Sequence, residues 1–150
     1  MSSVRFATEQ DIPQLLRLCF MFQQEAKDTF KAFSKEITAA NMEALIASDG
    51  GEILVLESDE GKLVGMLACT TGQFLFNDHT YALELAFFVE QKHRGGTGAI
   101  KLLKTYEQWA EDMCVEVVHL ADITSVKSHK EMYERLGYTM TETAYSKELN

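Results

Sequence analysis

The chain has little of what marks secreted, membrane or metal-binding proteins. Its three cysteines are odd in number, widely spaced and outside any Cys-x-x-Cys pair, so we expect neither a disulfide framework nor a metal site. The first residues form no apolar signal region, and no apolar run approaches the roughly 20 residues of a membrane span. These absences predict a soluble, cytoplasmic protein with no membrane partner. Cys19, Cys69 and Cys114 are expected to be reduced and to pack as small apolar side chains.

Basic residues are also scarce. The chain has 14 Lys and Arg against 23 Asp and Glu, which gives a formal net charge of -9. So acidic a chain repels polyphosphate backbones, which argues against a nucleic-acid partner and is compatible with a cationic substrate. Repeats, low-complexity tracts and linkers are absent as well. A length of 150 residues and a hydrophobic content of 46% then fit one domain covering residues 1–150.

Hydrophobic periodicity and turn residues predict the element order β-α-α-β-β-β-α-β-α-β. The turn at Ser58–Gly61 indicates a hairpin, and Gly137 is expected to end the last helix. The predicted strands are Val4–Phe6, Glu52–Glu57, Leu63–Thr71, Tyr81–Val89, Val115–Ala121 and Tyr138–Leu149. The predicted helices lie within Ile12–Gln23, Ser34–Asp49, Gly96–Asp112 and Lys127–Leu136. The apolar side of the third helix is expected to carry Ile100, Leu103, Tyr106, Trp109, Ala110 and Met113.

The most informative stretch is Glu84–Lys104, where an apolar strand leads into a glycine-rich loop that opens an amphipathic helix. Unpaired N–H groups and the positive end of the helix dipole meet at such a loop, and glycines let a phosphate approach the main chain. Four cations surround the loop: Lys92, Arg94, Lys101 and Lys104. The pattern predicts a pocket for a phosphorylated cofactor.

Spacing separates the known kinds of phosphate-binding loop. A P-loop is excluded, because the chain contains no Gly-Lys-Ser or Gly-Lys-Thr triplet. The dinucleotide fingerprint Gly-x-Gly-x-x-Gly fits Gly96 and Gly98, but Lys101 stands where its third glycine belongs. Since Asp122 follows at an acceptable distance, a nucleotide- or dinucleotide-dependent enzyme stays open as an alternative.

The loop also resembles the Arg/Gln-x-x-Gly-x-Gly/Ala signature of the GCN5-related N-acetyltransferases (GNAT family). If the signature begins at His93, its two glycines fall on Gly96 and Gly98. If it begins at Arg94, its first and last positions fall on Arg94 and Ala99. The opening VRFATEQDIPQLLRL and the closing MYERLGYTMTETAYSKEL resemble the family's first and last elements, and the closest variants are acetyltransferases of bacteriophages. The resemblance implies a single-domain α+β fold. Its sheet would be mixed, mostly antiparallel and flanked by helices, with a splayed parallel strand pair at the cofactor site.

The resemblance further implies which residues bind acetyl-coenzyme A. Main-chain groups at the end of the fourth strand would pair with the pantetheine arm and polarise the thioester carbonyl. The glycine loop would hold the diphosphate through backbone N–H groups. The asparagine that usually precedes the family's tyrosine by seven residues is Val126 here, and Ser125 or Ser128 would substitute for it. The implied cofactor residues are Phe87, Phe88, Val89, Arg94, Gly95, Gly96, Thr97, Gly98 and Ala99.

Two side chains are implied as catalytic. Glu84 is the one charge in its strand, where a buried carboxylate is costly unless it is paired or its pKa rises, and it would serve as the general base. A structural ion pair or an exposed strand end is the alternative for Glu84. Tyr133 would protonate the leaving thiolate, and a core tyrosine is its alternative. Glu90 and Glu116 are expected to face solvent, and His129 is expected on a helix surface.

These implications describe an acetyltransferase that moves an acetyl group from acetyl-coenzyme A to a primary amine by direct attack in a ternary complex. The acceptor would be a small-molecule or protein amine, cationic before reaction, in a pocket bordered by the segment from Phe20 to Phe33. A homodimer is compatible with the resemblance. The alternative is a non-catalytic module of the same fold that senses coenzyme A or binds a partner, such as a phage factor acting on a host protein.

Overall fold

The computed structural model describes residues 2–150 and contains one five-stranded mixed sheet. The strands are β1 (Ser3–Phe6), β2 (Gly51–Glu57), β3 (Leu63–Gln73), β4 (Thr80–Val89) and β5 (Val117–His119). The helices are α1 (Ile12–Glu25), α2 (Lys35–Ala47), α3 (Gly98–Asp112) and α4 (Lys130–Arg135). The strands follow one another across the sheet in chain order; the first four are antiparallel neighbours, and β5 runs parallel to β4. The predicted α+β fold is confirmed.

The sheet is covered on both faces, which explains the unbroken apolar run in β3. Seven consecutive residues, from Leu63 to Cys69, are buried there, because alternate side chains enter different cores. One core lies under α3 and includes Leu102, Leu103 and Tyr106, all fully buried. The other lies under α1 and α2. Helices thus cover both faces of the middle of the sheet. β4 and β5 are the last two strands at one side of the sheet.

Local signals in the sequence place several element ends correctly. Ser34 caps α2, since its hydroxyl accepts a hydrogen bond from the Ile37 N–H at 3.2 Å. Gly137 has φ of 94° and ends α4 in a Schellman motif. The Gly137 N–H donates to the Glu134 carbonyl and the Tyr138 N–H to the Tyr133 carbonyl, both at 3.0 Å. That turn sets the path of the chain after α4, which contains Tyr133.

Other predictions are wrong. Residues 138–149 form no strand, and they pair with no strand of the sheet. A strand without a paired neighbour is not stable in water. In α3 the predicted apolar side is wrong at one position, since Ile100 is 38% exposed and Leu102, which the prediction left out, is buried. The other predicted residues Leu103, Tyr106, Trp109 and Ala110 are buried as expected. Cys114 is exposed at a positive φ of 61°, whereas Cys69 is buried as expected. Within residues 2–150, no helix has both the length and the apolar character to cross a membrane.

Candidate active site

A cleft of about 930 Å³ opens where β4 and β5 separate. The two strands pair only from Tyr81 to Leu83, opposite Val117 to His119, and beyond that point they diverge. The second half of β4, the glycine loop and residues 121–135 form the walls. The predicted splayed parallel pair is therefore present. Nine of the implied site residues line the cleft: Glu84, Phe87, Phe88, Val89, Arg94, Gly95, Gly96, Ala99 and Tyr133.

An irregularity in β4 shapes the cleft. Ala86 pairs with Ala68, but Glu84 pairs with the next residue, Cys69, so that Leu85 is an extra residue in the strand. A bulge of this kind bends its strand and increases the local twist. It lies where β4 loses contact with β5, so the bend contributes to the separation of the two strands.

Glu84 lies at the start of the gap between the strands. Its Oε1 accepts a hydrogen bond from the Ala121 N–H at 3.2 Å. The main-chain pairing of β4 with β5 ends at Leu83, and at the next residue the Glu84 side chain accepts a hydrogen bond from the main chain that follows β5. Burial raises the pKa of Glu84 to about 7, against the smaller opposing effect of the Ala121 N–H. A carboxylate with a pKa near 7 can both accept and release a proton near neutral pH.

Tyr133 binds the main chain of the same residue, Ala121. Its hydroxyl donates a hydrogen bond to the Ala121 carbonyl at 2.9 Å. Burial raises the pKa of Tyr133, and the negative charges of Glu84 and Asp122 add to the shift, so the phenol stays protonated. The main chain of Ala121 therefore links the two implied catalytic residues, since its N–H binds Glu84 and its carbonyl binds Tyr133. Sequence reasoning missed Ala121, because main-chain roles leave no mark on residue type.

The end of β4 is more crowded than the sequence implied. Arg94 Nε donates to the Val89 carbonyl at 2.7 Å, and Arg94 Nη2 donates to Glu25 Oε2 at 2.8 Å. The guanidinium carbon also lies 5.3 Å from the centre of the Phe88 ring. Arg94 thus connects α1, β4 and the glycine loop, and the Val89 carbonyl is already engaged within the protein.

The glycine loop presents bare main chain to the cleft. Within residues 2–150, the N–H groups of residues 95–100 donate to no other residue. A Cβ added at Gly95 or Gly96 would meet no atom within 4 Å, and Gly95 has φ of 90°, which favours glycine. Gly98 differs, because a Cβ there would lie 2.5 Å from Leu56 Cδ2. Gly98 and Thr97 do not line the cleft, so the helix-packing role of Gly98 is separate from the open surface of Gly95 and Gly96.

The cations around the loop are arranged differently from the prediction. Lys92 lies 3.5 Å from Glu90, and Lys101 Nζ donates to the Ser2 carbonyl at 2.9 Å. Positive charge in the cleft comes instead from the opposite wall and from the loop itself. The Lys and Arg residues that line the cleft are Arg94, Lys127, Lys130 and Arg135. An anionic ligand would therefore meet positive charge from both sides.

Glu90 is buried, contrary to the prediction that it faces solvent. Its carboxylate forms an ion pair with Arg17 at 3.2 Å and a second one with Lys92. Burial alone would raise the pKa of Glu90, but these cations and Lys62 hold it below its usual value. Glu90 is thus a structural anion.

Glu116 is exposed, as expected.

His129 lines the cleft and is half-buried, so its expected surface position is wrong. Its ring centre lies 5.6 Å from that of Phe87 and 5.7 Å from that of Tyr133. Asp122 organises this wall by accepting bonds from the Ser128 hydroxyl at 2.6 Å and the His129 N–H at 3.0 Å. Burial lowers the pKa of His129, although Asp122 opposes the shift, so the imidazole is neutral at pH 7.

The position of the family's usual asparagine is apolar. Val126 lines the cleft, and both neighbouring hydroxyls already have partners. Ser125 Oγ lies 2.6 Å from Thr29 Oγ1, and Ser128 donates to Asp122. No group of His, Cys, Asp and Glu among residues 2–150 is arranged to hold a metal ion.

Comparisons with known proteins agree with the fold. The family described as "Acetyltransferase (GNAT) family" matches residues 11–138, which is most of the chain. The chain therefore belongs to the GNAT acetyltransferase family. No curated protein sequence is detectably similar to it.

Several solved structures share the fold at low sequence identity. A variant of the Bacillus halodurans protein BH1408 superposes with a TM-score of 0.84 at 17% identity, covering 99% of each chain. A ribosomal-protein-alanine N-acetyltransferase from Brucella melitensis biovar Abortus 2308 gives 0.79 at 18% identity, again over 99% of each chain. An aminoglycoside 6'-N-acetyltransferase from Acinetobacter baumannii gives 0.75 at 17% identity, over 100% of this chain and 99% of that one. At these identities the likeness concerns the fold alone.

Proposed function

We propose that the protein transfers an acetyl group from acetyl-coenzyme A to a primary amine by direct attack in a ternary complex. The observation that carries the proposal is that Glu84 and Tyr133 both bind the main chain of Ala121 where β4 and β5 separate. One residue is a carboxylate with a pKa of about 7, and the other is a phenol that stays protonated. The reaction needs such a pair, because the amine must lose a proton to a base and the departing sulfur must gain one from an acid.

The glycine loop fits the diphosphate of coenzyme A. Unpaired N–H groups at residues 95–100 and the N-terminus of the 15-residue helix α3 together attract anions. The bare surface of Gly95 and Gly96 lets phosphate oxygens reach those groups. Lys127 and Lys130 on the facing wall would balance further phosphate charge. When bound, the thioester supplies an activated acetyl group, and its thiol arm would follow the gap beside Phe87.

The residues then move the protons. Glu84 takes one proton from the ammonium, directly or through a water molecule, and later releases it to solvent, so that the free amine can attack. The amine nitrogen bonds to the acetyl carbon as the carbon–sulfur bond breaks, and Tyr133 gives its proton to the departing sulfur. The nitrogen then loses a second proton to the phenolate of Tyr133, so the products are an N-substituted acetamide, coenzyme A thiol and one proton in solvent. Main-chain N–H groups near Phe88 would stabilise the negative charge on the acetyl oxygen.

A cationic amine acceptor suits the acidity of the chain. The chain as a whole carries a net charge of -9, whereas Glu25, which lines the cleft beside Phe22, is already paired with Arg94. Two of the structural neighbours are named for acetyl transfer to amines, one to an alanine of a ribosomal protein and the other to an aminoglycoside. We propose the same chemical class here without choosing between a protein and a small molecule. The cytoplasmic location and the closeness to bacteriophage enzymes stay predictions from the sequence.

One observation favours a second function, a non-catalytic module that senses coenzyme A. Val126 stands where a pantetheine contact is expected, and the hydroxyls of Ser125 and Ser128 are engaged elsewhere. Such a module would bind coenzyme A through the loop and release no thiol. The distinction therefore lies in turnover and not in binding.

The proposed function is tested by thiol release. The purified protein is incubated with acetyl-coenzyme A and a panel of polyamines, aminoglycosides and peptides with free amino termini, and free thiol is followed with a chromogenic disulfide. We expect amine-dependent release with at least one acceptor class, together with acetylated product by mass spectrometry. Calorimetric binding of coenzyme A with no release across the panel would support the sensing module instead, and absence of binding would end both proposals.

Tyr133→Phe is expected to lower kcat by about 100-fold, the low end of the range for general acids, because a thiolate is a comparatively stable leaving group. The change also removes the bond to the Ala121 carbonyl, so unfolding and coenzyme A affinity are measured alongside. Affinity is expected to change little. Tyr145→Phe is the matched control, since its side chain is 92% exposed and outside the cleft. An unchanged kcat in Tyr133→Phe would remove the assigned role.

A further inference from the structure

The wall of the cleft contains an imidazole that the proposed reaction does not use. His129 lines the cleft, and its side chain is 38% exposed. Its ring lies beside two aromatic rings, with its centre 5.6 Å from that of Phe87 and 5.7 Å from that of Tyr133. Phe87 and Tyr133 both belong to the core on the α3 side of the sheet. The imidazole therefore borders the same side of the strand gap as Tyr133, the implied acid.

Two consecutive residues, Ala121 and Asp122, hold the side chains on this side of the gap. The main chain of Ala121 binds Glu84 and Tyr133. Asp122 Oδ1 accepts the main-chain N–H of His129 at 3.0 Å and lies 3.6 Å from Nδ1 of the same residue. One carboxylate thus contacts both the backbone and the ring of His129. The position of the imidazole is therefore tied to the short segment that also holds the two implied catalytic residues.

The Asp122 carboxylate also sets the tautomer of the imidazole. Burial keeps the pKa of His129 below its usual value, so the ring is neutral and carries one N–H. The partner of one ring nitrogen decides which nitrogen holds that proton. A negative oxygen 3.6 Å from Nδ1 favours the proton there. Nε2 then carries a lone pair, so it can accept a hydrogen bond but cannot donate one.

This acceptor has no partner within the protein. Among residues 2–150, Nε2 of His129 makes no hydrogen bond. The Tyr138 hydroxyl is the one buried side-chain polar atom without a partner among these residues, so Nε2 is not enclosed. In the same wall the Ser128 hydroxyl is engaged by Asp122, and Val126 has no polar side-chain atom. His129 is thus the neutral side chain beside Phe87 that keeps a free hydrogen-bonding atom for a ligand.

We propose that His129 Nε2 accepts a hydrogen bond from an amide N–H of the pantetheine arm and so positions the thioester beside Tyr133. This contact rests on the proposed function, which places the arm in the gap beside Phe87. An amide N–H that leaves water for a cleft needs an acceptor, because an unpaired polar group is costly there. The Val89 carbonyl on β4 is already engaged by Arg94, so the acceptor on the facing wall meets that need.

Two substitutions separate the acceptor from the ring. His129→Phe keeps a ring beside Phe87 and Tyr133 but has no acceptor, whereas His129→Gln keeps an acceptor oxygen and has no ring. Calorimetry is expected to show that His129→Phe weakens coenzyme A binding by about fivefold to about 150-fold, because the amide loses its partner. His129→Gln should recover most of that affinity. Neither change should affect binding of adenosine 3',5'-bisphosphate, which has the nucleotide and no amide arm. Thermal unfolding checks that both variants are folded.

Nitrogen NMR of the imidazoles gives a reading from the parent protein alone. The His129 signals, identified by their loss in His129→Gln, are expected to show the proton on Nδ1. The Nε2 signal should shift on addition of coenzyme A and stay unchanged on addition of adenosine 3',5'-bisphosphate. A proton on Nε2, or a signal that does not respond to coenzyme A, would contradict the assigned contact.

The binding data also separate this contact from the proposed function. Unchanged coenzyme A affinity in His129→Phe would overturn the contact while leaving acetyl transfer in place. Equal losses in His129→Phe and His129→Gln would show that the acceptor is not what matters, and equal losses for both ligands would show a general structural effect. Either result overturns the proposal. A parent that binds no coenzyme A would end the contact and the proposed function together.

Discussion

Gly96→Glu is expected to weaken coenzyme A binding by about fivefold to about 700-fold. The new carboxylate would stand beside the unpaired N–H groups of residues 95–100, where the phosphates are proposed to bind. Two unit charges 4 Å apart repel by about 1 kcal/mol in water and about 4 kcal/mol near a protein surface, and each 1.4 kcal/mol is tenfold in affinity. The fold should tolerate the change, since a Cβ at Gly96 meets no atom within 4 Å. Calorimetry at low and high salt measures the effect.

Gly96→Gln separates charge from size. It adds the same number of side-chain atoms without the negative charge, so we expect a smaller loss of affinity that does not depend on salt. In Gly96→Glu the loss should shrink as salt screens the repulsion. Equal affinities for the parent and Gly96→Glu would show that the diphosphate does not lie on this loop. Equal losses in the two variants would point to a steric effect and would contradict the charge argument.

Much of the fold could be predicted because its signals are local. Apolar periodicity identified four helices and five of the strands. Gly61 and Gly137 indicated turns, and in the structure both have positive φ, 78° and 94°, which favours glycine. The error at Ile100 has the same origin. Leu102 and Ile100 are both apolar, and only the neighbouring strand decides which of them faces the core. Periodicity gives the direction of a face to within about one residue and no better.

The site could be predicted in part for a different reason. A lone charge in an apolar strand is expensive, so Glu84 drew attention without any structure. Its partner is the main chain of Ala121, and a main-chain donor can belong to any residue type. The contacts of His129 and Asp122 in the cleft were not predicted, because the loop that joins β5 to α4 has no periodic pattern and its contacts depend on tertiary packing. The role of each residue is still a proposal, whereas its place in the cleft is observed.

The failed strand at the C-terminus carries a physical lesson. Strand propensity describes how well a segment fits into a sheet, and it does not show whether a sheet edge is used by that segment. Residues 139–150 alternate as a strand does, yet they form neither helix nor strand, and the sheet ends at β5. The pattern alone therefore could not show that these residues stay outside the sheet.

Glu84→Gln is expected to lower kcat/KM by about 100-fold or more above pH 7, and to change the shape of the pH profile. Glu84 can accept a proton only when ionised, and burial raises its pKa to about 7. The parent rate should therefore rise as pH increases through about 7. Glutamine cannot accept the proton, so the variant should lack that rise. It keeps an oxygen that can accept the Ala121 N–H, which preserves the geometry of the gap.

The difference between parent and variant should narrow again at high pH. An alkyl amine with a pKa near 10.4 loses its proton to solvent there and no longer needs a base. Rates from pH 6 to 10 at saturating acetyl-coenzyme A therefore define a window of largest effect between the pKa of Glu84 and that of the acceptor. Glu116→Gln is the matched control, because that carboxylate binds Thr80 away from the cleft. Parallel profiles for parent and Glu84→Gln would assign the proton to water, and Glu84 would then serve only to hold Ala121.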